Sequence, residues 1–174
     1  MDLFRDEIIK RLLQIDKDIV SLDNSSDIYS CVIVGGSALV LMKKIFRSTH
    51  DIDSINASNN IKPLLESYNI NMNVSAYLIN FPEDYLDRII AIDIPTTKVK
   101  FYTVSLEDLV VSKLCSLREK DIEDIRNELV YKSLNWELLS KLVDDVCYGM
   151  LNDYDADILK ENYKAYEEEF KCVI

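Results

Sequence analysis

The segment VIVGGSALVLMKKIFRSTHDIDSI, Val32 to Ile55, limits what this chain can fold into more than any other stretch. The β-branched run YSCVIVG that leads into it reads as a buried strand. That run ends in Gly35-Gly36, two of only three glycines in 174 residues. SALVLMKKIF follows without a turn former, so a helix is expected from Ser37. A strand that turns into a helix over two glycines lets backbone come close to a ligand, because glycine has no Cβ to collide and tolerates unusual φ and ψ. The new helix presents free N–H groups and the positive end of its dipole, which suit an anion. Arg47, near the end of that helix, reads either as a solvated helix end or as a group that holds a phosphate or orients a carboxylate.

DIDSINA alternates like a strand, placing Asp51 and Asp53 on one face and Ile52 toward the core. Two neighbouring carboxylates repel each other unless a cation lies between them, and hard oxygen ligands suit Mg2+ or Mn2+. A lone Gly-Gly is most often a turn, and a lone Asp-x-Asp a solvated strand edge. Their order here, strand, Gly-Gly-Ser, helix and Asp-x-Asp, is the equipment for phosphoryl or nucleotidyl transfer from a nucleoside triphosphate. His50, the single histidine, reads as a surface or supporting residue rather than a ligand.

The rest of the chain places this segment in an α+β fold, a mixed β-sheet with flanking helices followed by a C-terminal helical region. Apolar residues at helical spacing, Leu3, Ile8, Ile9, Leu12, Ile15 and Ile19, predict a helix over 2–20, and DNSSD breaks it. NIKPLLESY reads as a short helix with Pro63 in its first turn. INMNVSAYLI, RIIAIDI and KVKFYTV read as strands. From Ser105 a capping-box start opens a helix with Leu106, Leu109, Val110, Leu114 and Leu117 on one side. Further helices are expected at about 121–132, 134–150 and 155–170. The expected organisation is a core over 1–104 and a helical region over 105–174 packed on it, with no repeat or linker between them.

Lys113 sits among Val110, Val111, Leu114 and Cys115 and reads either as a snorkelling lysine or as a point charge facing a triphosphate. Asp121 either caps the next helix or bonds a catalytic group. Asp124 reads as a surface residue.

Charge narrows the partners. A formal charge of −11 argues against a chain that binds nucleic acid over its whole surface. Residues 144–174 carry nine acids and three bases, so they supply six of the eleven excess negative charges. Elsewhere Lys43, Lys44 and Arg47, then Lys98 and Lys100, then Arg118 and Lys120 leave room for a local anion site. Cys31, Cys115, Cys147 and Cys172 lie far apart with no C-x-x-C pair, so reduced thiols and no zinc site are expected. The N-terminus is wrong for a signal peptide, and no segment holds an apolar run of membrane-spanning length, so a cytoplasmic protein without a membrane partner is expected.

The pattern G-G-S, thirteen residues, D-x-D resembles the signature of the nucleotidyltransferase superfamily with the DNA polymerase β-like catalytic fold. VIVGGSALVL, R-S-T-H-D-I-D and the later SLEDLVVSKLCSLREKDIEDI resemble a narrower branch, the nucleotidyltransferase-like proteins related to the AbiEii and MenA toxins of toxin–antitoxin systems. The resemblance spans about residues 30–126. It implies phosphate binding by Gly35, Gly36, Ser37, Arg47 and Lys113, Mg2+ or Mn2+ held by Asp51 and Asp53, and catalytic roles for Asp51, Asp53, Lys113 and Asp121. It implies a third metal carboxylate on a neighbouring strand, for which Asp93, and after it Asp87, are the candidates. It further implies an RNA end as acceptor, with a protein hydroxyl next, and an antitoxin protein as possible partner. A catalytically silent or antitoxin-like binding protein of the same fold is the alternative.

Overall fold

Helix α1 spans Arg5–Leu22 and buries Ile8, Leu12, Ile15 and Ile19 on one stripe. The computed structural model describes residues 3–116 and 118–173, so the expected helix start at residue 2 and the expected inward place of Leu117 lie outside the described residues. Leu3 stands before α1 and exchanges two backbone hydrogen bonds with Thr49, at 2.7 and 2.9 Å. Asp16 occupies the buried stripe of α1 among the apolar residues, and its carboxylate accepts the N–H groups of Thr97, Lys98 and Val99 at 2.7–2.8 Å. A buried carboxylate is tolerable when such bonds replace its water.

Five strands form one mixed sheet: β1 Tyr29–Val34, β2 Ile52–Ala57, β3 Ile70–Asn71, β4 Ile90–Ala91 and β5 Val99–Thr103, in the order β3-β2-β1-β5-β4. β1 is antiparallel to β2 and parallel to β5, while β2 is parallel to β3 and β4 antiparallel to β5. Cys31, Val32, Ile33 and Val34 are all buried, so both faces of the central strand are covered. A bulge opposite Val32 and Ile33 leaves Ile55 unpaired in β2, which resets the alternation: Ile52 and Ser54 are buried before it and Ala57 after it.

Helix α2 spans Gly35–Leu41, starting two residues earlier than the apolar run predicts and ending sooner. It stops because Lys43 takes φ +59, which lets Lys43 N–H bond Val40 O and Lys44 N–H bond Leu39 O in a Schellman motif. Helix α3 spans Lys62–Ser67 with its proline in the first turn.

Two strand expectations are corrected. INMNVSAYLI forms only the two residues of β3 before a 3-10 turn at Ser75–Asn80. Asn71 Oδ1 accepts the N–H of Asn73 at 3.0 Å, and that local bond replaces a strand pairing. RIIAIDI forms a strand only at Ile90–Ala91, with one further bond from Ile92 N–H to Phe101 O, because Ile94 and Thr96 donate locally to Ile92 and Ile94, and Pro95 between them has no N–H.

Residue contacts group Met1–Ser75 with Ile89–Val104 and, separately, Ala76–Arg88 with Ser105–Ile174. The first unit holds the sheet and α1 to α3. The second holds α4 Leu106–Leu114, α5 Glu119–Ile125, α6 Glu128–Tyr131, α7 Trp136–Gly149 and α8 Asp153–Phe170. The helix expected over 121–132 is split, because the Asn127 side chain accepts the Leu129 N–H and starts α6. Arg88 fastens 76–88 to α4 with two bonds, at 2.9 and 3.1 Å, to the fully buried carboxylate of Asp108. Ser105 caps α4 by accepting the Asp108 N–H and donates to the same carboxylate at 2.6 Å. Among the described residues no helix is long and apolar enough to cross a membrane.

Candidate functional site

The glycine turn and the Asp-x-Asp strand meet at one end of the sheet. Val34, the last residue of β1, stands opposite Asp53 in the antiparallel register, so the turn begins where the second aspartate lies. Gly35 takes φ +67, a conformation costly for any residue with a Cβ. A methyl group built there would stand 3.1 Å from Asp53 Oδ2. One built on Gly36 would stand 3.2 Å from Arg47 Nη2 and 3.7 Å from Thr49 Oγ1. Both glycines therefore let a carboxylate and a guanidinium lie against the backbone of the turn.

Around this turn the sheet unit supplies graded exposure. Ile52 is buried, Asp53 is half-buried, and Asp51 is exposed just before β2. Asp53 Oδ1 accepts a hydrogen bond from Asn71 Nδ2 at 2.7 Å, across the β2–β3 pair in which the two residues are register partners. Because Asn71 Oδ1 is taken by Asn73, the amide is oriented with its N–H toward Asp53. Thr49 is buried, and its hydroxyl donates to Asp51 O at 3.2 Å with Asp51 Oδ1 at 3.5 Å. Arg47 Nη1 donates to Ser48 O at 2.9 Å. No motif or periodicity in the sequence singles out Thr49 or Asn71. The only signal for Asn71 is its place one strand from Asp53, which requires knowing the register.

Ser37 has a different immediate task from phosphate binding. It is 1% exposed, and its hydroxyl donates to Val34 O at 2.9 Å. A phosphate oxygen accepts hydrogen bonds, so the one hydroxyl proton of Ser37 is already committed.

Asp93, the first candidate for a third carboxylate, stands apart from the aspartate pair. Ala91 stands opposite Tyr102, and Ile92 N–H donates to Phe101 O, so the chain leaves β4 in the direction away from the Val34–Asp53 end. Four residues of strand at ~3.3 Å and three strand spacings of ~4.8 Å put Asp93 roughly 20 Å from Asp53. Asp93 is exposed in the β4–β5 connection, and Asp87 is exposed in the 3-10 turn Tyr85–Arg88 of the helical unit.

Within the helical unit a second cluster forms. Lys113, 4% exposed, donates to Asp121 Oδ1 at 2.5 Å and to Asp124 Oδ2 at 2.9 Å. Ser116 and Arg118 complete the Asp121 carboxylate with bonds of 2.8 and 2.7 Å. Burial pushes Asp121 upward, but hydrogen bonds from Lys113, Ser116 and Arg118 outweigh it and hold the carboxyl below its ordinary value. Asp124, read from sequence as a surface residue, is 3% exposed. Its burial follows from Lys113, which can enter an apolar helix face only with its charge matched.

Among the described residues no group of three or more His, Cys, Asp or Glu side chains converges as a metal site. Asp51 and Asp53 are the carboxylates at the glycine-turn end, and Mg2+ is commonly held by one or two carboxylates together with substrate phosphates. The four cysteines are free; burial pushes the Cys31 thiol up to about 11 and the Cys115 thiol up to about 12, so neither is a ready nucleophile.

A family model described as "Nucleotidyltransferase of unknown function (DUF6036)" matches residues 10–171. No curated protein and no solved structure matches the chain.

Proposed function

We propose that this chain, which belongs to that nucleotidyltransferase family, transfers a nucleoside monophosphate from a nucleoside triphosphate to an acceptor hydroxyl, with an RNA end as the acceptor. One observation carries the proposal: the Gly35–Gly36 turn is packed against Arg47 and Asp53 at the end of the sheet where Asp51 is open to solvent. Phosphoryl transfer is catalysed mainly by positioning and by opposing the charge on the phosphates, and this turn offers a close backbone approach beside a guanidinium and two carboxylates.

In this reading the acceptor oxygen attacks the α-phosphorus and pyrophosphate leaves. Asp51 and Asp53 would hold Mg2+ or Mn2+, which supplies neutralisation of the polyphosphate when bound. The backbone at Gly35 and Gly36 admits the phosphates, and the Arg47 guanidinium, which lies against Gly36, would add positive charge beside them. Asn71 fixes the rotamer of Asp53, and Thr49 holds the strand entry from which Asp51 projects. Lys113 and Asp121, in the helical unit, enter the proposal only through the roles that the resemblance implies for them. The resemblance to the toxin branch supports the RNA end, and with it a neutralising antitoxin partner.

A second reading, a silent protein that keeps the fold, draws on the commitment of the Ser37 hydroxyl and the Lys113 ammonium to partners inside the protein. Each labelled nucleoside triphosphate is incubated with Mg2+ and the protein, first with total RNA and then with cell protein. Label on RNA ends, lost in Asp51→Asn, is the expected result. Label on protein moves the acceptor to a protein hydroxyl, as in AMPylation. No label with any of the four nucleotides, and no rise in melting temperature with metal and nucleotide, overturns the proposal in favour of the silent reading.

A further inference from the structure

The helical unit carries an apolar groove whose charged lining is of one sign. Leu78, Ile79, Phe81, Val146 and Gly149 line it, and Glu83 and Asp145 are its charged residues among those described. Leu78 and Ile79 are 37% and 49% exposed, and a Cβ placed on Gly149 would meet nothing within 4 Å, so the groove is open at that point. From Gly149 of the groove the chain runs into the α7–α8 turn, where Tyr148, Leu151 and Tyr154 are 95%, 97% and 69% exposed. Scattered surface apolar residues are ordinary, but an open apolar groove and a turn with three exposed large apolar side chains on successive stretches of one chain mark an interaction surface. The turn is flanked by the exposed acids Asp144, Asp153, Asp155 and Asp157, against one exposed base, Lys160, in the cavity that Tyr148 lines.

We propose that this groove and the α7–α8 turn dock a basic amphipathic helix of another protein. The apolar floor accepts side chains at helical spacing, and the acidic rim pairs with lysines or arginines flanking them. Charge decides against the other occupants. Phosphates of a nucleic acid meet only carboxylates along the groove. A second copy brings its own net charge of −11 to an acidic face.

The test uses the full chain and labelled synthetic peptides followed by fluorescence anisotropy. A leucine–lysine peptide with apolar residues on one helical face is compared with a scrambled peptide of equal composition and with a leucine–glutamate counterpart. A single-stranded RNA of similar length is the fourth probe. The amphipathic basic peptide is expected to bind about tenfold or more tightly than the other three, and to weaken as salt rises. Leu151→Ser and the double variant Glu83→Lys with Asp145→Lys, each first shown to melt like the wild type, are each expected to reduce that affinity about tenfold. Equal binding of the scrambled peptide, unchanged affinity in both folded variants, or no binding at all overturns the proposal. So does a concentration-dependent dimer in sedimentation that Leu151→Ser abolishes, which assigns the face to a second copy. None of these readouts depends on nucleotidyl transfer.

Discussion

The two aspartate clusters differ in what their oxygens already hold. In the helical unit Asp121 and Asp124 are buried around the Lys113 ammonium, and Asp121 is further bonded by Ser116 and Arg118. In the sheet unit Asp51 is exposed and Asp53 half-buried, with Asn71 on one oxygen of Asp53 and the glycine turn against the other. The same residue type thus serves two ends. A carboxylate buried among donors within the protein stabilises a fold, and one exposed to solvent, as Asp51 is, can take a ligand. Asp16, which accepts three backbone N–H groups inside α1's buried stripe, belongs with the first kind.

The largest expected effect separates activity from stability. Asp51→Asn should lower nucleotidyl transfer by about a thousandfold, on the scale of losing one preorganised electrostatic group, while its melting temperature without metal stays within a degree or so of the wild type. A marked loss of stability with transfer retained would remove Asp51 from the ligand-binding class. Lys113→Met is expected to do the reverse first. It removes the ammonium that two buried carboxylates share and should cost about 3–5 kcal/mol in denaturant unfolding, and wild-type stability in that variant would break the contrast between the clusters.

Asp16→Asn comes next, at about 2 kcal/mol, because an amide oxygen can replace only part of what a carboxylate does for three backbone donors. Its nucleotide affinity should be unchanged, which titration calorimetry can check. Gly35→Ala should cost about 1–2 kcal/mol for a left-handed φ, and it should also lower nucleotide affinity, since the new methyl stands 3.1 Å from Asp53 Oδ2. The smallest effect is in acid. The Asp121 carboxyl is held below its ordinary value of 3.8, so its contribution is complete at pH above the unfolded value and fades as pH falls through the lower folded one. Asp121→Asn should flatten that part of the acid limb in a pH series of melting temperatures, and an unchanged slope would mean the cluster does not hold the charge as the geometry indicates.

Local pattern carried much of the fold. The buried β-branched run became β1, the alternation around Ile52 became β2, Ser105 capped α4, and the long amphipathic repeats became α1, α7 and α8. Readings failed where a side chain competed with the backbone: Asn71 ended β3, Asn127 split a helix, and Lys43 closed α2 in a conformation uncommon for lysine. Such bonds depend on one rotamer or one φ, which periodicity does not report.

The sequence by itself determined that a glycine turn and an Asp-x-Asp strand come in succession within a nucleotidyltransferase-like pattern, because periods of 2 and 3.6 residues and the freedom of glycine are properties of short segments. Tertiary structure alone decided which carboxylates are buried among donors and which reach solvent. Register set Asn71 beside Asp53 and carried Asp93 away from that pair, and the fold of the helices closed Asp121 and Asp124 around Lys113. Whether a carboxylate binds a ligand or a neighbour depends on what stands within hydrogen-bond reach of its oxygens, and residues far apart in the chain supply that.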